Sequence, residues 1–93
     1  MAIFVKVKNK KGTADDKLPM GCSSWKDYWE TNNIKSWPSK CCVENCKNKA
    51  EVGAHVYKTG ESEIVYIIPM CNEHNNYNKT EVISVDKDYL LKR

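Results

Sequence analysis

The feature that most constrains this chain is a set of sulfur and imidazole side chains that falls into two close groups. Cys41, Cys42 and Cys46 form the first group, and Cys71 and His74 form the second. Two pairs of soft ligands, each within a tight turn and separated by a hairpin-length segment, can complete a tetrahedral Zn²⁺ shell. Adjacent Cys41 and Cys42 do not both fit with Cys46 on one ion. We favour Cys41, so the predicted zinc ligands are Cys41, Cys46, Cys71 and His74.

The short length of the chain suggests why a bound metal ion would be needed. A chain of 93 residues is expected to form one domain, 1–93, whose small core leaves little stability to spare. One structural zinc ion would supply the missing stability. A disulfide framework is the competing explanation, and it needs an oxidising compartment and normally an export signal. The five cysteines are an odd number, and residues 1–8 alternate apolar and cationic side chains instead of forming a signal sequence. We therefore expect an intracellular, cytoplasmic protein with zinc and without a membrane-spanning segment.

Alternating apolar and polar residues predict the strands. Residues 3–8 have the period of a half-buried strand. Residues 50–57 alternate in the same way, with small side chains on the packed face. A turn at 58–62 then leads into the β-branched run 63–68, which is typical of a well-buried returning strand. We expect Pro69 to end that strand.

One helix is predicted before the first ligand group. Ser23 or Ser24 can cap this helix, and Trp25, Tyr28 and Trp29 fall on one of its faces. A tryptophan-rich face could bind a partner. In a domain with few aliphatic residues, however, such a face is more often part of the core, and we expect core here.

The C-terminal part of the chain is predicted to begin with a ligand-bearing turn. The residues after Cys71 indicate a turn that runs into a short helix, for which Asn72 is a candidate cap. Residues 82–85 predict a further short strand. Residues 86–93 are expected to be a frayed, charged tail.

The net charge of +3 is a mild bias toward acidic partners. Among the fifteen basic residues only Arg93 is an arginine, which argues against sequence-specific reading of DNA. Nonspecific attraction of DNA or RNA phosphate by lysines remains an alternative. Two lysine-rich groups could supply it: Lys6, Lys8, Lys10 and Lys11, and Lys35, Lys40, Lys47 and Lys49. We favour the simpler interpretation that these lysines form solvated faces and protect a sheet edge.

The segment from Lys40 to Thr80 resembles the HNH-type treble-clef family, also called the ββα-metal fold. The matching features are the cysteine pair, Ala54-His55-Val56, the strand end Ile68-Pro69-Met70-Cys71 with His74 after it, and Lys79-Thr80. The resemblance implies an α+β treble-clef domain at about 40–80, built from a zinc knuckle, a β-hairpin and a short helix. An N-terminal strand and an amphipathic helix are added at about 2–34. The structural zinc would be bound by the four predicted ligands, with His74 where a fourth cysteine is commoner.

The same resemblance implies an incomplete catalytic centre. Family nucleases activate water with a histidine that corresponds to His55, and they hold a second divalent ion through side chains at the positions of Ala54 and Asn75. Ala54 offers no ligand, and Asn75 offers only a weakly coordinating carbonyl oxygen. His55 has structural alternatives, namely a bond to a backbone carbonyl or a place in the zinc shell. Cys22 has no nearby partner in the sequence and is expected to be a buried thiol.

The predicted function is a small zinc-stabilised binding module, associated with nucleic acid, whose HNH-like scaffold lacks a complete catalytic metal site. One alternative is a metal-dependent endonuclease with His55 as general base and Asn75 or Asn78 beside a second divalent ion. The other alternative is an interaction domain that presents its tryptophans to another protein.

Overall fold

The structure is a computed structural model, and it describes residues 3–10, 21–33, 35–61, 63–75 and 82–93. These residues form a small α+β fold with one α-helix and five strands, and a 3₁₀ turn lies between the last two strands. The elements in chain order are β1 (Phe4–Asn9), α1 (Trp25–Asn32), β2 (Val52–Lys58), β3 (Tyr66–Met70), β4 (Ile83–Asp86), the 3₁₀ turn (Lys87–Tyr89) and β5 (Leu91–Lys92). The short helix predicted after His74 lies largely outside the described residues. No helix in the described segments is long and apolar enough to cross a membrane.

The strands form one antiparallel sheet in the order β4-β1-β2-β3-β5. The predicted N-terminal strand is confirmed, but it lies inside the sheet between β4 and β2. Val7 faces Lys58 of β2 on one side and Ile83 of β4 on the other. The lysines of β1 therefore do not protect a sheet edge, and that interpretation was wrong.

The predicted hairpin is confirmed as β2 and β3, joined by a turn in which Gly60 has φ +86°. We expected Pro69 to end the second strand, but β3 continues to Met70 and Pro69 lies opposite Gly53. A proline breaks a strand only where its N–H is needed. In the described sheet β5 pairs only with the first two residues of β3. The Pro69 carbonyl instead accepts a hydrogen bond from the Cys42 N–H at 3.2 Å.

The two faces of the sheet have different coverings, since successive side chains of a strand point to opposite faces. The first face, which we call the metal face, packs against the segment around the first ligand group. Its core comprises Val7, Cys41, Cys42, Val43, Ala54, Val56, Ile68, Met70, Cys71 and Val85. The opposite face, the helix face, carries His55 and Ile67, and α1 packs over it.

Helix α1 begins at Ser24, whose hydroxyl accepts a hydrogen bond from the Asp27 N–H at 3.0 Å. Its tryptophan-rich face is core, as predicted, most clearly at Trp29, which is 0 % exposed. The Trp29 indole N–H donates to the carbonyl of Tyr89 at 2.9 Å, and the two rings stack at 6.1 Å. Trp37 packs edge-on against Trp29, with ring centroids 5.4 Å apart.

The C-terminal residues are ordered, so the prediction of a frayed tail at 86–93 was wrong. Leu91 pairs with Ile67 of β3, and the Arg93 N–H donates to the carbonyl of Val65 at 2.9 Å. The bond from Trp29 to Tyr89 holds the preceding turn in place. These partners lie far away in sequence, so local charge and hydropathy could not indicate them.

Gly53 is the point of closest approach between α1 and the sheet. A Cβ added to Gly53 would lie 2.7 Å from the carbonyl carbon of Trp25 and 2.8 Å from the backbone nitrogen of Lys26. We predict that Gly53→Ala destabilises the domain by about 1–3 kcal/mol, because backbone atoms of α1 must move away from β2. Urea unfolding and near-UV circular dichroism measure the effect.

Gly60→Ala is the matched control for this substitution. Gly60 has a positive φ, but a Cβ there meets nothing within 4 Å. This variant should lose stability through backbone strain alone and keep the tryptophan signal of the wild type. An unchanged tryptophan signal in both variants would contradict the close packing of α1 on Gly53.

Candidate metal centre

The first ligand segment is a tight turn. The Cys46 N–H donates to the carbonyl of Val43 at 3.0 Å, and Asn45 takes up the positive φ (+65°) that this turn requires. Asparagine tolerates this conformation better than most residues. The Cys41 N–H donates to the carbonyl of Asn48 at 2.8 Å, which closes the segment from the other side. Cys41 and Cys46 are therefore held at the two ends of one short loop.

The second ligand segment leaves the end of β3. Cys71 is 2 % exposed, and the Asn75 N–H donates to its carbonyl at 3.0 Å. This bond closes a turn, so that the His74 N–H lies 3.4 Å from Cys71 Sγ. The hairpin of β2 and β3 runs between the two segments and returns the second to the side of the first.

The four predicted ligands, Cys41, Cys46, Cys71 and His74, converge, and we call them the Cys3His centre. Their donor atoms all lie within 4.8 Å of one another. Cys46 Sγ is 3.9 Å from Cys71 Sγ, and His74 Nδ1 is 3.2 Å from Cys71 Sγ and 3.8 Å from Cys41 Sγ. Donors on one tetrahedral ion with ordinary Zn–S and Zn–N bonds would be about 3.8 Å (S to S) and 3.6 Å (S to N) apart. The cluster thus has the dimensions to hold one metal ion.

Comparison of the chain with protein-family models, with curated proteins and with solved structures finds no match. The case for the Cys3His centre therefore rests on its own geometry and chemistry.

The thiols of the centre and its neighbour differ in how readily they ionise. Burial favours the neutral form of Cys71, but hydrogen bonds from the His74 N–H and the Asn48 amide outweigh it and lower the Cys71 pKa to about 7. Burial raises the pKa of Cys41 to about 12, and the nearby Cys71 sulfur adds to the rise. Burial also raises the pKa of Cys42, and the charge of Cys41 adds to it. Of these three sulfurs, Cys71 is the one whose surroundings favour the thiolate that binds a cation.

The structure separates the remaining sulfur atoms from this cluster. Cys42 is 7 % exposed and belongs to the hydrophobic core of the metal face. Of the two adjacent cysteines, Cys42 therefore packs in the core, and Cys41 joins the cluster. Cys22 is only half-buried, whereas a buried thiol was expected. Neither belongs to the group of donors that includes Cys71.

His55 is not brought to the Cys3His centre. It lies on the helix face of β2, 5 % exposed, with its ring edge-on to Trp25 at 4.5 Å. The role of His55 as a general base stays a prediction. Asn75 is exposed beside the ligand turn, and Asn78, the other predicted neighbour of a second ion, lies outside the described residues.

Two asparagines that sequence reasoning did not single out support the ligands. Asn48 places its amide nitrogen 3.7 Å from Cys71 Sγ and donates to Glu73 Oε2 at 3.1 Å. The Asn9 amide donates to the carbonyl of His74 at 2.6 Å and so ties β1 to the ligand turn. Asn48 follows Cys46 closely, which is a weak signal in the sequence. Asn9 has no such signal, because 65 residues separate it from His74.

We predict that Asn48→Ala lowers the metal affinity of the centre about tenfold, because the Cys71 sulfur loses a hydrogen bond that favours its charged form. Competition with a chromophoric chelator measures this affinity. Asn72→Ala is the matched control, since the Asn72 amide donates to Glu51 Oε2 at 3.2 Å and not to a sulfur. Equal affinities for the two variants would contradict the supporting role of Asn48.

Proposed function

We propose that this chain is a zinc-stabilised binding domain in which one Zn²⁺ ion is held by Cys41, Cys46, Cys71 and His74. The observation that carries the proposal is the convergence of these four donor atoms within 4.8 Å. Four protein ligands fill a tetrahedral shell and leave no position for water or substrate, which is typical of structural sites. The ion therefore stabilises the fold and does not act on a substrate.

The chemistry of the donors supports zinc as the metal. Three thiolates and one imidazole are soft and borderline ligands, which suit Zn²⁺ better than Mg²⁺ or Ca²⁺. All five cysteines are free thiols. Thiolate ligands require a reducing environment, so we assign the domain to the cytoplasm.

The arrangement around the centre supports a treble-clef type of fold. One ligand pair lies in a turn before the β2–β3 hairpin, and the other pair follows directly after it. One ion would then tie both ends of the hairpin together. The short helix that would complete a treble clef is predicted after His74, largely outside the described residues.

Binding is favoured over hydrolysis by the position of His55. Its ring is almost fully buried under α1, against Trp25, whereas a general base must reach the water that it activates. The described surface of the domain carries exposed lysines, with Lys6 of β1 among them. We therefore propose nucleic acid as its partner, and another protein is the alternative outcome.

Metal analysis tests the zinc proposal. Full-length protein purified without added metal is expected to contain one zinc per chain, and Co²⁺ exchanged into the site should give the visible absorption of a tetrahedral thiolate complex. Cys22→Ser should keep this stoichiometry. Protein that folds without bound metal, or that gives an octahedral Co²⁺ spectrum, would overturn the assignment.

A plasmid assay separates binding from hydrolysis. Zinc-loaded protein incubated with supercoiled plasmid and Mg²⁺ or Mn²⁺ is expected to leave the plasmid intact. Nicking that disappears in His55→Ala would establish the endonuclease instead, and it would require α1 to move away from His55.

A further inference from the structure

In the described part of the chain, α1 packs over β2 and β3, which form one half of the helix face of the sheet. Where α1 covers this face, His55 and Ile67 are 5 % and 0 % exposed. The continuation of the same face over β1 and β4 lies beside the helix, and it exposes large apolar side chains. Phe4 is 41 % exposed and Val82, just before β4, is 45 % exposed. We call this half, formed by the outward positions of β1, β4 and the end of β2, the open face.

Cationic and aromatic side chains are interleaved on the open face. Lys6 and Lys8 occupy alternate positions of β1 and Lys10 follows directly after it, so the three point to the same side with a spacing of about 6.7 Å. The backbone N–H of Lys10 continues the β1–β2 ladder beyond the strand end. Tyr57 lies directly opposite Lys8 in the register. Each of these side chains is at least partly exposed.

The charge of the open face is positive. Asp86 is the one acidic side chain at its described strand positions, and it lies at the end of the face, opposite Phe4. The Asp86 carboxylate is engaged locally, because it accepts a hydrogen bond from the Asp88 N–H at 3.0 Å. The described strand positions of the open face and Lys10 thus carry three lysines and one carboxylate, and this positive charge complements an anionic partner.

Protection of a sheet edge does not explain this pattern. β1 is paired on both sides, so its lysines have no edge to protect. Solvation accounts for the lysines alone, whereas Phe4 and Val82 add exposed apolar surface beside them. The combination of aromatic and cationic side chains instead fits a ligand with both flat apolar groups and negative charges.

We propose that the open face binds single-stranded nucleic acid without strong sequence preference. Lys6, Lys8 and Lys10 contact successive phosphates, while Tyr57 and Phe4 provide surfaces on which bases stack. Duplex DNA is a poorer partner because its bases are already stacked, and reading its grooves needs an inserted helix or ribbon. The single arginine, Arg93, lies over the Trp25 ring at 5.7 Å and away from this face. This inference deepens the binding role proposed above and rests on it.

The test uses fluorescence anisotropy of zinc-loaded, full-length protein with labelled oligo(dT) and oligo(U) and with a duplex of equal length. Both single strands are expected to bind more tightly than the duplex. Contacts with three phosphates predict that log K falls with log salt with a slope of about −2. Lys6→Gln/Lys8→Gln should reduce this slope by about 1.4. Tyr57→Leu should weaken binding roughly 5- to 150-fold, as the loss of one stacking surface does.

Matched controls separate the open face from general charge. Lys47→Gln/Lys49→Gln removes the same charge from exposed positions near the metal centre, and Tyr28→Leu removes a half-buried aromatic ring from α1. Both controls should bind like the wild type. Equal losses in the two lysine pairs, a duplex affinity that matches or exceeds the single-strand affinity, or no binding at 50 mM salt would each overturn the inference.

Zinc content and circular dichroism are measured on every sample. A variant that has lost zinc or fold is replaced by the corresponding single substitution. If zinc-loaded, folded protein does not bind single-stranded nucleic acid, only the proposed role of the open face is overturned. Protein without zinc overturns the proposed metal centre instead, so the two failures are distinguishable.

Discussion

Cys71→Ser is expected to unfold the domain at 25 °C or to leave it without tertiary structure. Cys71 is 2 % exposed and its sulfur contacts both Cys46 and His74 within the centre. Structural zinc contributes about 10–16 kcal/mol of apparent binding free energy in small domains. The whole free energy of unfolding of a domain this small is only about 5–15 kcal/mol. The ion's contribution is therefore comparable to the whole stability of the domain, and a shell that has lost one thiolate is expected to bind the ion too weakly to maintain the fold.

Near-UV circular dichroism and zinc content, measured with and without a strong chelator, check this prediction. Wild-type protein should lose its tertiary signal cooperatively as the chelator removes the metal. Cys46→Ser should behave like Cys71→Ser, whereas Cys22→Ser should behave like the wild type, because Cys22 lies outside the cluster. Equal tolerance of all three substitutions would mean that the ligand set is wrong.

Trp29→Ala is expected to lower the free energy of unfolding by about 3–5 kcal/mol. Trp29 is 0 % exposed, and its ring contacts those of Trp37 and Tyr89. Truncation leaves a cavity between α1 and the C-terminal turn and removes the hydrogen bond to the Tyr89 carbonyl. Because that turn precedes β5, we expect β5 to separate from β3 more easily.

Urea unfolding of the zinc-loaded variants measures the first effect, and amide hydrogen exchange measures the second. The Arg93 N–H donates to the carbonyl of Val65 and should exchange faster in Trp29→Ala. Trp29→Phe keeps most of the ring and should cost less than the alanine variant. Equal stability of Trp29→Ala and wild type, at full zinc occupancy, would refute the role of Trp29 as the link between α1 and the C-terminal turn.

Local sequence patterns predicted the elements that depend on near neighbours. The alternation of residues 3–8 and the hairpin around Gly60 appear in the structure as β1, β2 and β3. A serine cap was predicted at Ser23 or Ser24 because a capping hydroxyl needs only the N–H three residues ahead, and the structure selects Ser24. The predictions failed where distant partners decide, as at Pro69 and in residues 86–93.

The four candidate ligands could also be predicted from the sequence, but the residues that support them could not. Soft side chains in two tight turns around a hairpin have few other uses, so Cys41, Cys46, Cys71 and His74 could be chosen from spacing. The choice of Cys41 over Cys42 agrees with the cluster in the structure. The support from Asn9 could not be predicted, because it depends on the position of β1 next to β2.

The sequence by itself determined the identity of the donor groups, the hairpin between them and the buried face of α1, because spacing and periodicity specify these over a few residues. Only the tertiary structure decided that β1 lies inside the sheet and that the C-terminal residues form β5. It also decided that α1 covers His55 and leaves the open face beside it. These outcomes depend on pairings between residues far apart in the chain, whose free energies are set by the whole packed sheet and not by any local pattern.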